Sequence, residues 1–455
     1  MRWTRLLAVL LLALSLLAAC GDDDDDTSAG GGDDTGEATD DGGEGEEDDD
    51  GAGAGDEGTV TVFSAMEPEE VDAVEAAIAD AMGETEYEVE FEASADFEEQ
   101  AQIRIEGGNP NDVMLFPQPG TVQELARNGD AVALEDLGFD IEELNATFGE
   151  SFVALGEHNG KHYGIPSNIN LKSMVWYPKD DFDAAGYTVP TTWDELTALA
   201  EQIKADGGTP WCVGFESGGA TGWPATDWME DIMLRTAGPD VYDQWVAHEI
   251  PFDDPAVKNA ATVFGEVLFT EGNVLGGADQ TPNIAFGDAP GPLFDDPPGC
   301  WLHRQASFIN SFFPEDAEAG VDYDWFPLPP IDQDGILFAG ELAVAFRNAP
   351  EVKDFLDRFT GQEVQCAQGG STGSSRISPN VEVGPDCYAN EQLARAAEVL
   401  TGALEAGTGR FDASDLMPSA VGAASFWTGM IEYIQGGPDA LDGVLADIEA
   451  SWPAE

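Results

Sequence analysis

Basic residues are scarce in this chain. Lysine and arginine together number 17 among 455 residues, against 90 aspartates and glutamates, and the formal net charge is −73. A field of that sign repels nucleic acid and anionic lipid surfaces, so neither is an expected partner. We interpret the acids as a solvated surface suited to a saline habitat, where dissolved ions screen the repulsion between carboxylates.

Histidine is rarer still, with four in the chain, and this scarcity argues against two candidate sites. Residues 369–373 match G-x-S-x-G, but a hydrolase elbow needs a histidine after Ser371, and the last one is His303. His158 and His162 are four residues apart, yet the Asn-Gly pair between them predicts a turn rather than a helical metal site. We predict no catalytic residue, no metal and no cofactor. A hydrolase with paired carboxylates remains an alternative, because the acids are numerous.

Long apolar runs are missing near the N-terminus. The run at 6–17 has about 12 residues, too short to cross a bilayer core of about 30 Å as a helix. It follows Arg2 and Arg5 and leads to small residues before Cys20, which is typical of an export signal. The Leu-Ala-Ala-Cys ending resembles a bacterial lipobox, which implies that Cys20 is lipidated and anchors the chain to the outer face of the cell membrane. An uncleaved membrane anchor is the alternative.

Residues 21–58 contain acids, glycine, alanine, serine and threonine only. No side chain of this kind builds a core, so the segment is predicted to be disordered. We interpret it as a tether between the membrane and a folded body.

Cysteine is also sparse, and no C-x-x-C spacing occurs among the five. Beyond Cys20 an even number remains, which in an exported chain predicts two disulfides. We expect Cys212 to pair with Cys300, and Cys366 to pair with Cys387.

The body, residues 59–455, exceeds the size at which one core usually splits, so two lobes are expected. Its first part alternates strands and helices. Strands are predicted at 59–64, 87–91 and 112–116, and helices at 69–82, 97–106 and 121–128. This alternation is typical of a parallel sheet covered by helices. Ligands bind such open sheets at the edge where the strands end.

The rest of the body is richer in helix. Strands are predicted at 172–177 and 338–346, and helices at 192–205, 226–236, 255–269, 351–360, 390–406, 424–434 and 439–450. Thr192, with Glu195 three residues later, has the pattern of a capping box. The predicted fold class is α/β.

Five tryptophans stand in polar, turn-prone surroundings, although core packing is the commoner role for any single tryptophan. They are Trp211, Trp223, Trp228, Trp301 and Trp427. A sugar offers apolar faces to aromatic rings and hydroxyls to polar side chains. Glycine, proline or polar residues surround Trp223, Trp301 and Trp427, which makes them the best candidates for a binding site. Trp193 and Trp452 are expected in the core.

Three segments carry a resemblance to a known family: GKHYGIP at 160–166, KSMVWY at 172–177 and PTTWDEL at 190–196. With them the chain resembles the extracellular solute-binding proteins (family 1) of bacterial carbohydrate ABC importers, the group that includes maltose-binding protein. Further segments resemble the alpha-glucoside-binding subgroup. They lie at 206–212, 222–228, 230–235, 286–290, 300–305 and 414–418.

The resemblance implies a periplasmic-binding-protein type II fold, with two α/β lobes joined by three chain crossings. Lobe 1 is expected at 59–168 plus 330–376, and lobe 2 at 170–328 plus 377–455. The sugar is expected in the cleft between them.

The resemblance and the predicted strand ends together indicate nine sugar contacts. They are Glu67, Gln118, Asn170, Trp223, Asp227, Trp301, Arg304, Glu341 and Trp427. Trp301 and Trp427 match aromatic residues of the family's cleft. Asn170 departs from the family's pattern, because maltose-binding protein carries an acid at this place.

The resemblance implies a monomeric, non-enzymatic protein that captures an alpha-glucoside or oligosaccharide outside the cell. It delivers the sugar to the permease subunits of an importer. Three alternatives remain open: a binder of the same fold for a polyol or peptide, a secreted glycan hydrolase, and a purely structural surface protein.

Overall fold

The computed structural model describes residues 58–66, 68–94, 96–371 and 374–453. Cys20, nearly all of the predicted tether and Glu67 lie outside the described residues. Within the described ranges no helix is both long enough and apolar enough to cross a membrane.

Strands and helices alternate in the first part of the chain, as expected from the sequence. The strands are β1 Thr59–Ser64, β2 Glu88–Ala93, β3 Val113–Phe116, β4 Glu157–His158, β5 Lys161–His162, β6 Ile165–Leu171, β7 Met174–Pro178, β8 His303–Arg304, β9 Tyr323–Pro327, β10 Ile336–Ala345 and β11 Gly409–Phe411. The Asn-Gly turn joins β4 to β5 as an antiparallel hairpin, which confirms the turn predicted between the two histidines.

Helices make up most of the remainder. They are α1 Pro68–Ala81, α2 Phe97–Glu106, α3 Pro119–Asn128, α4 Ile141–Phe148, α5 Glu150–Val153, α6 Lys179–Ala185, α7 Trp193–Ala205, α8 Trp223–Ala237, α9 Pro239–Val246, α10 Pro255–Phe269, α11 Pro350–Phe359, α12 Gln362–Gly370, α13 Glu391–Ala406, α14 Ala413–Leu416, α15 Trp427–Gly436 and α16 Leu441–Ala450. Helices α2 and α10 have the predicted bounds. At α7, Thr192 accepts a hydrogen bond from the Glu195 amide at 3.2 Å.

The larger sheet has six strands. Five follow the order β11-β10-β3-β1-β2, and the sixth, β6, pairs with β10. Strand β1 runs parallel to β2 and β3, which confirms the parallel arrangement predicted for the first three strands. Strand β10 runs antiparallel to both β3 and β6. The sheet as a whole is therefore mixed, because β10 returns from a remote part of the chain rather than through a crossover after β3.

A smaller antiparallel sheet, β8-β7-β9, lies against a helical core. That core takes buried residues from α7, α8, α10, α15 and α16. Trp211 and Trp228 are both buried in it, with ring centroids 5.0 Å apart. They therefore serve packing. The predicted core role of Trp193 and Trp452 agrees with their packing against the same cluster.

Both predicted disulfides are present. Cys212 pairs with Cys300, and Cys366 pairs with Cys387. The first ties the start of an irregular segment to the chain just before β8. The second ties α12 to the segment that leads into α13.

Among the helix starts that differ from the sequence prediction, those of α8 and α15 carry an aromatic residue of interest. Helix α8 begins at Trp223, three residues earlier than predicted, because Pro224 is compatible with the first helical turn. Helix α15 begins at Trp427, after a π-helical turn at Val421–Phe426. Insertions of this kind often occur at functional sites.

Candidate functional site

A cavity of about 150 Å³, here called the first cavity, lies beyond the ends of β1 and β3. Strands β6 and β10 and the starts of α8 and α15 supply its other walls. This is the sheet edge at which the sequence predicted a ligand. Its lining residues are Ala65, Met66, Glu98, Pro117, Gln118, Asn168, Asn170, Lys172, Ser217, Ala220, Trp223, Asp227, Phe286, Phe308, Ala339, Gly340, Glu341, Ser414, Asp415 and Trp427.

Six of the nine predicted contacts lie together in these walls. They are Gln118, Asn170, Trp223, Asp227, Glu341 and Trp427. Trp301 and Arg304 are not among the lining residues. Glu67 lies outside the described residues, next to Met66, which does line the cavity.

Aromatic rings form an apolar wall. The Trp223 ring lies 5.2 Å from the Phe286 ring and 5.8 Å from the Phe308 ring, measured between centroids. Trp427 lines the same space and is 5% exposed. Rings in this arrangement suit the apolar face of a ring-shaped ligand.

Several buried polar atoms in the walls have no hydrogen-bond partner among the described residues. They include Gln118 Oε1, Asn168 Oδ1 and Trp427 Nε1. A buried polar atom is stable when it is paired, and leaving one unpaired costs about 1–3 kcal/mol. Two of these atoms accept hydrogen bonds and the indole donates one, so together they match a ligand whose hydroxyls do both.

Lys172 holds the carboxylates at the floor of the cavity. Its ammonium donates to Asp227 Oδ1 at 2.8 Å and to Asp412 Oδ2 at 2.6 Å, with Asp415 4.0 Å away. Burial alone would lower the pKa of Lys172, but these carboxylates outweigh it and raise the pKa well above its usual value. The lysine is therefore charged, and its charge is already committed to protein groups.

The carboxyl of Asp227 has a raised pKa. Burial, reinforced by Asp412 and opposed by Lys172 and Arg304, raises its pKa to about 7. For Asp412, burial alone would raise the pKa, but Lys172 outweighs it and the pKa is lowered to about 2. One carboxyl of the pair therefore changes its protonation near neutral pH, and it faces the cavity.

Two further carboxylates in the walls are held by neighbouring side chains. Glu341 accepts from Arg376 Nη2 at 2.7 Å. Glu98 accepts from Gln118 Nε2 at 3.0 Å, and burial raises the pKa of this carboxyl. The Gln118 amide nitrogen is thus occupied, which leaves its oxygen for a ligand.

Trp301 and Arg304 lie behind the cavity rather than in it. Trp301 packs edge-on against Tyr187, with centroids 5.0 Å apart, at the border of the helical core. Arg304 is buried and donates to Asp231 at 3.0 Å, with Asp227 3.4 Å away. Arg304 thus supports the orientation of Asp227.

The sequence prediction missed Asn168, Lys172, Phe286, Phe308 and Asp415, which line the cavity. Lys172, Phe286 and Asp415 stand in segments that carry the family resemblance, and that position could have identified them as site residues. Asn168 and Phe308 had none, because their roles depend on strand pairing and on a turn that the sequence does not reveal. Across the described residues, no group of three or more His, Cys, Asp or Glu is arranged to hold a metal ion.

Comparison with known proteins gives matches over most of the chain. The family model for the bacterial extracellular solute-binding protein matches residues 67–365. The osmoprotective compounds-binding protein GgtB of Synechocystis sp. is 40% identical over 401 residues, covering 88% of this chain and 93% of the relative. The alpha-glucosides-binding periplasmic protein AglE of Rhizobium meliloti is 41% identical over 410 residues, covering 87% of each chain.

Solved structures share the fold at much lower identity. The bacterial solute receptor AcbH matches with a TM-score of 0.73 at 19% identity, covering 86% of this chain and 98% of the receptor. The maltose-bound MalE3 of T. maritima matches with a TM-score of 0.68 at 16% identity, covering 86% and 99%. The predicted α/β class and its periplasmic-binding-protein type are thereby confirmed.

Proposed function

The chain belongs to the family of bacterial extracellular solute-binding proteins, and from that premise we propose that it captures an α-glucoside outside the cell for an ABC importer. One observation carries the proposal. The relative named for α-glucosides is 41% identical over 87% of both chains. At that similarity a shared class of ligand is the simplest expectation.

The first cavity supports a saccharide. Trp223, Phe286 and Phe308 offer rings to the apolar face of a sugar. Gln118 and Trp427 present an acceptor and a donor that have no partner among the described residues. We propose that Asn170, Asp227 and Glu341, from the same walls, bind the remaining hydroxyls.

Capture of the sugar depends on lining residues from both proposed lobes. The proposed lobes, 59–168 plus 330–376 and 170–328 plus 377–455, both contribute lining residues. A sugar that contacts both favours the closed arrangement by its differential contacts. The permease then receives the closed form, and the protein performs no reaction on the sugar.

The N-terminal segment has a separate proposed role. Lipidation of Cys20 anchors the protein to the outer face of the cell membrane, and the acidic segment serves as a tether. Anchoring raises the effective concentration of the protein near the importer. A Cys20→Ser variant is expected in the soluble extracellular fraction, and its retention in the membrane fraction would contradict the lipid anchor.

A thermal-shift panel tests the ligand class. Purified protein is screened with trehalose, maltose and sucrose as α-glucosides, with sorbitol and glycine betaine as osmoprotectants, and with a mixture of short peptides. The expected result is a rise in Tm with at least one α-glucoside, because a ligand bound only to the folded state stabilises it. A response to peptides alone would overturn the proposal.

A second candidate is an osmoprotective solute that is not an α-glucoside. The relative named for such compounds is 40% identical over 88% of this chain, almost the same similarity. The same panel separates the two candidates: a rise with sorbitol or glycine betaine and none with the three disaccharides would favour this one.

A further inference from the structure

Arg376 connects the first cavity with a second one that the proposed function does not use. The second cavity has a volume of about 630 Å³ and is lined by residues of the 310–323 segment and of 368–376. Arg376 lines it, and Nη2 of the same side chain donates to Glu341 in the wall of the first cavity at 2.7 Å. The two spaces are therefore separate but joined by one buried ion pair.

The second cavity is lined mainly by hydroxyl and amide groups. Its polar neutral residues are Asn310, Ser311, Gln368, Ser371, Ser374, Ser375 and Asn390. The rings of Phe313 and Tyr323, edge-to-face with centroids 4.8 Å apart, supply an apolar wall. Rings beside neutral hydrogen-bonding groups are the combination that suits a polyhydroxylated ligand.

Two buried atoms in this lining have no partner among the described residues: Gln368 Nε2 and Asn310 Oδ1. Gln368 is 3% exposed, and its oxygen accepts from Arg376 Nε at 3.0 Å, which fixes the amide orientation. The unpaired nitrogen is a donor and the unpaired Asn310 oxygen is an acceptor. A hydroxyl satisfies both kinds of atom, whereas an anion satisfies only the donor.

The charges of the lining disfavour an anionic ligand. Arg376, the one basic residue among the described lining residues, is paired with Glu341. Glu315 and Glu318 are exposed at the rim and repel anions. From these observations we propose that the second cavity is a binding site for a neutral polyhydroxylated solute, a polyol or a saccharide, distinct from the solute in the first cavity.

Saturation-transfer NMR tests the proposal, with sorbitol and trehalose as separate probes. The measurements use the Trp427→Ala protein, in which ligand binding to the first cavity is expected to be weaker. Transfer to at least one probe is expected to persist. Adding Asn310→Ala is expected to weaken the affinity about fivefold, the effect of losing one hydrogen bond.

Ala317→Leu provides the blocking variant. Ala317 lines the second cavity and is partly exposed, so a larger side chain there narrows the cavity. Ala185→Leu, at an exposed position of α6 that lines neither cavity, is the matched control. Transfer is expected to weaken with Ala317→Leu and to remain with Ala185→Leu.

Two results would overturn the proposal: no transfer to either probe from the Trp427→Ala protein, or undiminished transfer after Ala317→Leu. The α-glucoside proposal fails by a different result, a thermal-shift panel in which no α-glucoside raises Tm. Any transfer from the first cavity survives Ala317→Leu, so the comparison is made in the Trp427→Ala background and against Ala185→Leu.

Discussion

At the scale of single residues, Trp301 and Trp427 show that the surroundings of a ring in the fold decide its role. Both stand among polar residues in the sequence, and both were predicted to contact the sugar. Trp427 lines the first cavity with its indole nitrogen unpaired. Trp301 instead packs on Tyr187 at the border of the helical core. The two indoles therefore serve different purposes.

Alanine substitutions distinguish the cavity-lining role of Trp427 from the packing role of Trp301. Trp427→Ala is expected to weaken saccharide affinity about tenfold, through loss of ring contact and of one donor. Trp301→Ala is expected to lower the free energy of unfolding by about 2–3 kcal/mol with little effect on affinity, since it removes packing. Titration calorimetry and urea unfolding measure the two quantities. Equal affinity losses for both variants would contradict the assignment.

The carboxyl of Asp227 predicts a pH dependence of binding. Its pKa of about 7 in the free protein means that the charged form prevails above neutral pH. A sugar hydroxyl donates more strongly to the charged carboxylate, so binding favours loss of the proton. Affinity is therefore expected to rise as the pH increases through 7.

Calorimetry at pH 6 and pH 8 measures this effect, and buffers of different ionisation enthalpy reveal the released proton. Asp227→Asn, which cannot ionise, is expected to bind with no such dependence. Identical affinity of the unmodified protein at both pH values would contradict a role for Asp227 as a hydroxyl partner.

At the scale of elements, two helix starts are locked together by a glycine. Gly222 precedes α8 and has a φ of +113°, and a Cβ there would lie 2.2 Å from the main-chain oxygen of Trp427. Only a residue without a side chain permits this approach. The contact brings the first residue of α8, Trp223, to the same cavity as Trp427 at the start of α15.

Gly222→Ala is expected to separate these helix starts. Gly207→Ala is the matched control, because Gly207 has a similar φ of +92° but open space around a Cβ. Gly207→Ala is expected to lower the free energy of unfolding by about 1–2 kcal/mol through backbone strain alone. The Gly222 variant is expected to lose more stability than the control and also to lose saccharide affinity. Equal stability and affinity in the two variants would show that the close approach is unimportant.

At the scale of the whole molecule, acids dominate the surface while some of the rare basic residues are used inside. Lys172, Arg235 and Arg304 are all buried, and each is paired with a buried aspartate, Asp227 or Asp231. These cations therefore do little to offset the surface charge. Repulsion between exposed carboxylates is left to dissolved ions to screen.

We therefore expect Tm to rise with salt. Scanning calorimetry would compare about 0.01 M salt, where the Debye length is about 30 Å, with about 1 M, where it is about 3 Å. Sodium chloride and potassium chloride should act alike, because screening depends on ionic strength. A constant Tm would contradict the interpretation of the acidic surface as an adaptation to salt.

The sequence predicted elements whose signals are local. The bounds of α2 and α10 and the Thr192 cap of α7 depend on neighbours along the chain, and the structure has them as expected. The presence of two disulfides followed from the cysteine number in an exported chain, whereas the count does not specify which cysteines pair. The start of α15 was less accessible, because the π-helical turn before it depends on packing around Trp427.

By itself, then, the sequence determined the α/β class, the first three parallel strands and six of the residues that meet in the first cavity, since periodicity and family segments carry that information. Tertiary structure alone decided the antiparallel return of β10, the withdrawal of Trp301 into packing, and the burial of Asp227 beside Lys172. Each of these depends on contacts between residues far apart in the chain, and such contacts leave no local pattern.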